Sequence, residues 1–289
     1  MKNSITAIIL LLFSTTSLFA FQDFSEVEIE IVPVSDSVSM LKGAGGNIGI
    51  LTGEDGVFMI DDQFAGLSEK IMNAISNLSN KPVKYLVNTH HHGDHTGGNE
   101  NFQEHGAMIL AHENVRKKLK SDTSRVSGLP VVTFSENLNL HINGNDIMVI
   151  HVDNAHTNGD ALIYLPQSNV LHTGDTFFNG SFPFIDLNNG GSVDGDIAAA
   201  KTGLSIINKN TKIIPGHGNL ATYDDYQQYA KMLEGIRSNV MKAIEEGKSE
   251  KEIINDENLT SEFITDEAAS EAYINGPKIR TTFYNSLKK

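Results

Sequence analysis

Hydrophobic and polar positions along this chain change period several times, and each change marks an element. Residues 27–33 alternate apolar and polar side chains, as a half-buried strand does. Residues 40–53 carry glycine at 43, 45, 46, 49 and 53 and read as turns between short strands. Val57 to Ile60 is an unbroken apolar run ending on Asp61 and Asp62, the pattern of a buried strand. Over 67–78 the period becomes helical, with Ile71, Ile75 and Leu78 on one face. A strand over 84–87 then runs straight toward His90.

The alternation continues beyond it. The spacing predicts a short helix over 99–105, a strand over 107–110 and a helix over 113–120. Strands follow over 131–134, 138–142, 147–152, 162–165 and 170–172. A helix over 194–207, a short strand at 213–214, a long helix over 224–246 and a C-terminal helix over 266–287 complete the pattern. Strand blocks interleaved with helices predict one α/β domain over 21–289, built from two αβ halves.

Four short polar blocks interrupt this pattern, each just after a strand. They are His90 to His95, then Ala155-His156-Thr157, then Thr173-Gly174-Asp175, then Pro215-Gly216-His217-Gly218. Loops at strand ends are where a rigid sheet presents catalytic groups. Several imidazoles and two carboxylates beside glycine turns form the ligand inventory of a two-metal hydrolytic centre. His90 and His92 converge on one ion when their loop is turned, and His156 is the natural third ligand. Asp94 and His95 suit a second ion, and His217 completes it. Asp175 is placed to bridge the two. Asp94 also serves as the catalytic acceptor of a hydrogen bond from the attacking hydroxide. Asp61 has two readings, a carboxylate that orients a ligand imidazole or a plain turn residue. His112 is either a group behind the ligands or the start of a helix. His91 is expected to point away from the ions.

Composition narrows the setting. The net charge is −14, from 22 basic and 36 acidic residues, which argues against nucleic acid and anionic membranes as partners. There is no cysteine, hence no disulfide, thiol nucleophile or thiolate ligand. Residues 1–20 open on Lys2, continue through an apolar run at 5–13 and end on Leu18-Phe19-Ala20, the pattern of a cleaved secretory signal peptide. A periplasmic or secreted protein, with no stable membrane insertion after cleavage, is the expectation.

His90-x-His92-x-Asp94-His95, His156, Asp175 and His217 resemble, residue by residue and in order, the metallo-β-lactamase-fold hydrolase superfamily. That resemblance implies an αβ/βα four-layer sandwich. It also implies two zinc ions, one on His90, His92 and His156, the other on Asp94, His95 and His217, with Asp175 bridging or capping. The block from Ala155 to Pro166 is similar to that of secreted class B β-lactamases. Those enzymes commonly place Cys where this chain has Asp175, and many place a carboxylate-binding Lys where it has Phe178. Thr173-Gly174-Asp175-Thr176 instead resembles glyoxalase II-like thioesterases and lactonases.

The function expected is therefore a dinuclear zinc hydrolase of a small-molecule substrate. A metal-bridging hydroxide opens a cyclic amide of β-lactam type or a related carbonyl. Lactone or thioester hydrolysis on the same site is the alternative, and a non-catalytic zinc-binding periplasmic protein is the alternative of another class. Phe177, Phe178, Phe182 and Phe184, just beyond Asp175, either wall a substrate pocket or pack the core.

Overall fold

In the computed structural model, residues 23–122 and 127–288 are described, so the signal-peptide expectation over 1–20 lies outside them. Seven strands pair in sequence order into one sheet: β1 (Glu30–Pro33), β2 (Val38–Lys42), β3 (Ile48–Leu51), β4 (Val57–Ile60), β5 (Val83–Asn88), β6 (Met108–His112) and β7 (Val132–Phe134). The first four are mutually antiparallel, whereas β4 to β7 run parallel. A second sheet holds β8 (Asn137–Ile142), β9 (Asn145–His151), β10 (Ala161–Leu165), β11 (Val170–His172) and β12 (Lys212–Ile214). It is antiparallel except for the parallel pair β11–β12.

The burial of alternate side chains on both faces explains the layering. In β4, Phe58 and Ile60 face the second sheet's Ile163 and Val149, while Val57 and Met59 join a different cluster with Ile71 and Phe102. Those two belong to helices α1 (Ser68–Ser76) and α3 (Asn99–Glu104), separated by the single turn α2 (Gly93–Thr96). In β10, Ala161, Ile163 and Leu165 face the first sheet, and Leu162 and Tyr164 face helices. After α4 (Glu113–Ser121), those helices are α5 (Val193–Ile206), α6 (Tyr223–Glu245), α7 (Glu250–Ile254) and α8 (Gly276–Leu287). Helix, sheet, sheet, helix is the αβ/βα sandwich expected from the sequence. Each large apolar side chain fully buried this way contributes about 1.5–3 kcal/mol. Among the described residues no helix is long and apolar enough to cross a membrane.

One expectation needs correction. The C-terminal helix was expected over 266–287, but α8 begins only at Gly276, and 260–274 form turns and bends. Asn275 caps α8, accepting from the Lys278 amide at 3.1 Å, with Pro277 in the first turn. Asp266 is drawn instead onto the buried Arg280, at 2.8 and 2.7 Å. The helix α7 was also missed, although Ser249 and Glu252 form a capping box that the sequence displays.

A buried acid in this layer gives a stability prediction. Asp196 on α5 is fully buried, accepts from the Tyr229 hydroxyl at 3.3 Å, and its Oδ1 has no partner among the described residues. Burial first, and Asp160 next, push its carboxyl well above the usual range. The folded state therefore holds a proton that the unfolded state releases as pH rises past the ordinary carboxylate value, so stability falls with rising pH. Asp196→Asn is expected to stabilise the metal-free protein by roughly 1–3 kcal/mol at pH 7, and by little at pH 4. Urea denaturation of both proteins at the two pH values measures this. An equal difference at both would refute the assignment.

Candidate metal centre

The parallel strands bring the polar blocks to one edge of the sandwich. Asp61 follows β4, His90 to His95 follow β5, His156 follows β9, Asp175 follows β11 and His217 follows β12. All seven side chains singled out in the sequence meet there. His90, His92, His156 and Asp175 form one group of converging ligand atoms, and Asp94, His95 and His217 form another.

Within the first group, His90 Nε2 and His156 Nε2 lie 3.1 and 2.9 Å from His92 Nδ1. Asp175 Oδ2 faces this group, 3.9 Å from His90 Nε2 and 3.7 Å from His156 Nε2. Its Oδ1 faces the second group, 3.0 Å from His95 Nε2 and 3.3 Å from His217 Nε2. Asp94 Oδ2 lies 3.6 Å from His95 Nε2 and 3.3 Å from His217 Nε2. One buried carboxylate thus spans two ligand sets.

The outward nitrogens fix which way each imidazole donates. His92 Nε2–H donates to Asp186 Oδ2 at 3.0 Å. His156 Nδ1–H donates to the Phe184 carbonyl at 2.5 Å. His95 Nδ1–H donates to Asp61 Oδ2 at 2.7 Å. The Thr89 hydroxyl donates to Asp61 Oδ2 at 2.7 Å, which leaves it to accept from His90 Nδ1–H at 3.1 Å. With those donors spent outward, the lone pairs of three imidazoles converge in the first group. Lone pairs so placed repel each other unless a cation lies between them. The buried His95 Nε2 and Asp175 Oδ1, which face each other at 3.0 Å, likewise have no hydrogen-bond partner among the described residues. Both groups therefore fit divalent metal, and their all-nitrogen-and-oxygen donors suit zinc.

Electrostatics carries the same demand. Burial, reinforced by His95, pushes His90 well below the ordinary histidine range, and burial brings His156 down to about 4. Burial is the largest single influence on His95 and His217 and works against their charge, yet Asp175 and Asp94 together, with Asp61 also at His95, outweigh it, holding His95 well above the usual range and His217 at about 9. The second group asks for positive charge, supplied by protons or by metal that displaces them.

Backbone without side chains makes the approach close enough. A Cβ on Gly46 would overlap the His95 ring, and one on Gly216 would overlap Asp175. Asp61 itself adopts φ 61°, a left-handed conformation that costs energy in any residue but glycine.

The other histidines fall elsewhere. His112 caps α4 through Nδ1 and stacks on His151 at 3.7 Å, so it is a helix start. His91 lies outside those two groups, in a third set with His92 and Asp186 whose ligand atoms also lie within 4.8 Å of one another. His172 is buried and accepts from the Gly174 amide at 3.1 Å. His105 and His141 pair with Asn101 and Asp146 at the surface.

Residues 41–231 match the family described as the Metallo-beta-lactamase superfamily. The chain belongs to that superfamily. Among solved structures, a metallo-β-lactamase from Pontibacter korlensis superposes with a TM-score of 0.64 at 21% identity, covering 72% of this chain and 99% of that one. The DIM-1 metallo-β-lactamase gives 0.63 at 19% over the same shares. These likenesses establish the fold. By sequence, hydroxyacylglutathione hydrolase of Nitrosococcus oceani is 31% identical over 47% of this chain and 48% of its own length. The 2,4-dinitroanisole O-demethylase subunit alpha of a Nocardioides species is 30% identical over 45% and 40%. The chain thus spans about half the length of the curated relatives it matches.

Two contributors to this metallo-β-lactamase-type site escape sequence reasoning. Asp186 binds His92 from 94 positions away, and the Phe184 carbonyl binds His156 from 28 away. Neither carries a local signal, because a loop carboxylate and a backbone carbonyl look the same wherever they point.

Proposed function

We propose that this protein is a dinuclear metallohydrolase cleaving an ester, lactone or thioester carbonyl. The observation that carries the reading is Asp175, whose two oxygens face the two imidazole groups separately. A carboxylate there, with no cysteine anywhere in the chain, favours the thioesterase and lactonase side of the superfamily. The hydroxyacylglutathione hydrolases among its relatives support the same side.

His90, His92 and His156 would hold one ion, Asp94, His95 and His217 the other, with Asp175 between them. Two zinc ions so held supply Lewis-acid polarisation of a carbonyl and a water acidic enough to attack at neutral pH. The chain's own groups do the rest. Burial raises the Asp94 carboxyl, but His95 and His217 outweigh it and hold it below the usual range. It is therefore ionised, ready to orient the attacking water and accept its proton. Asp186, Asp61 and the Phe184 carbonyl keep the imidazoles aimed inward. Phe178 and Phe184 stack on His217 and His92 and cover one face of each ring.

The test is a hydrolysis panel on zinc-loaded protein: a 4-nitrophenyl ester, a homoserine lactone, a glutathione thioester and a chromogenic cephalosporin. Ester, lactone or thioester turnover that chelation abolishes and zinc restores is expected. Two ions bound per chain with none of these hydrolysed would refute the reading. Turnover confined to the cephalosporin would move the protein to the β-lactamases.

A further inference from the structure

Beside the two imidazole groups lies a cavity of about 540 Å³. It is lined by His92, Asp94, Asp175 and His217 together with Phe178, Phe184 and Tyr273. The Phe178 ring lies flat on His217, with centroids 5.1 Å apart and planes at 10°. Phe184 lies on His92 at 5.8 Å and 25°, and Tyr273 meets Phe184 edge-on at 5.7 Å and 83°. An aromatic wall therefore begins at the metal-binding imidazoles and runs outward to Tyr273.

Tyr273 is 73% exposed, whereas Phe184 beside it is half-buried and most large apolar groups of the chain are covered. Its segment is not loosely placed. The buried Arg280 clamps Asp266 through both guanidinium nitrogens and also binds Thr260 and the Ile254 carbonyl. Lys278 donates to the Tyr273 carbonyl at 2.7 Å. A fixed, exposed aromatic ring at the mouth of a catalytic cavity is a surface preorganised for an apolar group.

Charge defines what that group lacks. Among the described residues, no lysine or arginine lines the cavity itself; Lys278 Nζ lies 5.2 Å from the centroid of the Tyr273 ring, at the outer end of the wall, with its ammonium hydrogen-bonded to the Tyr273 carbonyl. Phe178, which lies on His217 within the cavity, brings no charge either. The chain as a whole carries −14, so its field repels anions at long range. Resting on the hydrolase reading above, we infer that the substrate is an uncharged ester or thioester with an aromatic or medium-length alkyl acyl group, and that Tyr273 with Phe184 forms its acyl subsite.

Tyr273 is the residue to test, because Phe184 also supplies the carbonyl that orients His156. The zinc-loaded protein is assayed on 4-nitrophenyl acetate, 4-nitrophenyl hexanoate and mono(4-nitrophenyl) adipate, each corrected for its uncatalysed rate. The adipate ester matches the hexanoate in length but ends in a carboxylate. The hexanoate is expected to exceed the adipate about tenfold or more in kcat/KM, the discrimination a few apolar contacts provide. Tyr273→Ala is expected to raise KM for the hexanoate about tenfold while leaving the acetate within about twofold. Tyr273→Phe is expected to restore it. Equal turnover of adipate and hexanoate overturns the subsite with the hydrolase reading intact. So does a Tyr273→Ala variant that slows acetate and hexanoate alike, which marks a structural role. No turnover of any of the three, with two ions bound, overturns the subsite, and the hydrolase reading falls with it only if the lactone and the thioester are inert as well.

Discussion

Asp94→Ala is expected to lower turnover of a carbonyl substrate by about 10²–10⁴-fold, the usual worth of a positioned proton acceptor. Its side chain is a quarter exposed at the cavity edge, and its Oδ2 reaches only the two imidazoles of its own group. Little packing depends on it, so the melting temperature of the metal-free variant should match the parent within a few degrees. Zinc content separates the two roles of this carboxylate. His90, His92 and His156 keep their partners in the variant, so one ion per chain should remain tightly bound. Asp94→Asn retains size and one oxygen but cannot take a proton at neutral pH. It should therefore bind zinc better than the alanine variant while staying comparably slow. Activity above about half of the parent in the asparagine variant would remove Asp94 from proton transfer.

How much of this was legible in the sequence depends on whether a feature is local. The buried run from Val57 to Ile60 and the helical spacing of Ile71 and Ile75 report their own burial, and both elements form where expected. The ligand blocks are equally visible, because four histidines and an aspartate within six residues make little sense as ordinary surface. Strand ends then place the blocks at one edge. What stays hidden depends on distant partners. Nothing near Asp266 announces that Arg280 will claim it, so a helical reading of 266–287 wins until Asn275 and Pro277 are seen to cap a shorter helix. The aromatic run beyond Asp175 divides in a way the sequence does not reveal. Phe177 packs on Tyr226 and Tyr229 in the helical core, while Phe178, Phe182 and Phe184 face the cavity. One loop thus serves both the core and the site.

Asp61 is where local conformation, packing and chemistry meet, and its replacement should have the largest effect on the folded protein. The residue is fully buried and accepts from the Thr89 amide, the Thr89 hydroxyl and His95 Nδ1, each at 2.7 Å. Asp61→Ala leaves two or more buried donors without an acceptor and keeps an unfavourable backbone conformation. A loss of about 3–5 kcal/mol in urea denaturation is expected. Asp61→Asn is more informative about function. Asparagine tolerates positive φ and keeps one oxygen for the Thr89 amide, so the fold should survive with a smaller loss of about 1–3 kcal/mol. An amide nitrogen at the Oδ2 position, however, can only donate. It meets the Nδ1–H of His95 head-on and favours the other tautomer, which puts a proton on the nitrogen that faces Asp175. Affinity of the second ligand group for zinc should then fall about 10–100-fold, with turnover falling alongside. Competition with a chelator measures the affinity, and nitrogen NMR of the metal-free protein reads the tautomer. If the asparagine variant binds both ions as tightly as the parent, Asp61 supports the loop only, and the aim of His95 must come from Gly46 and the packing around its ring.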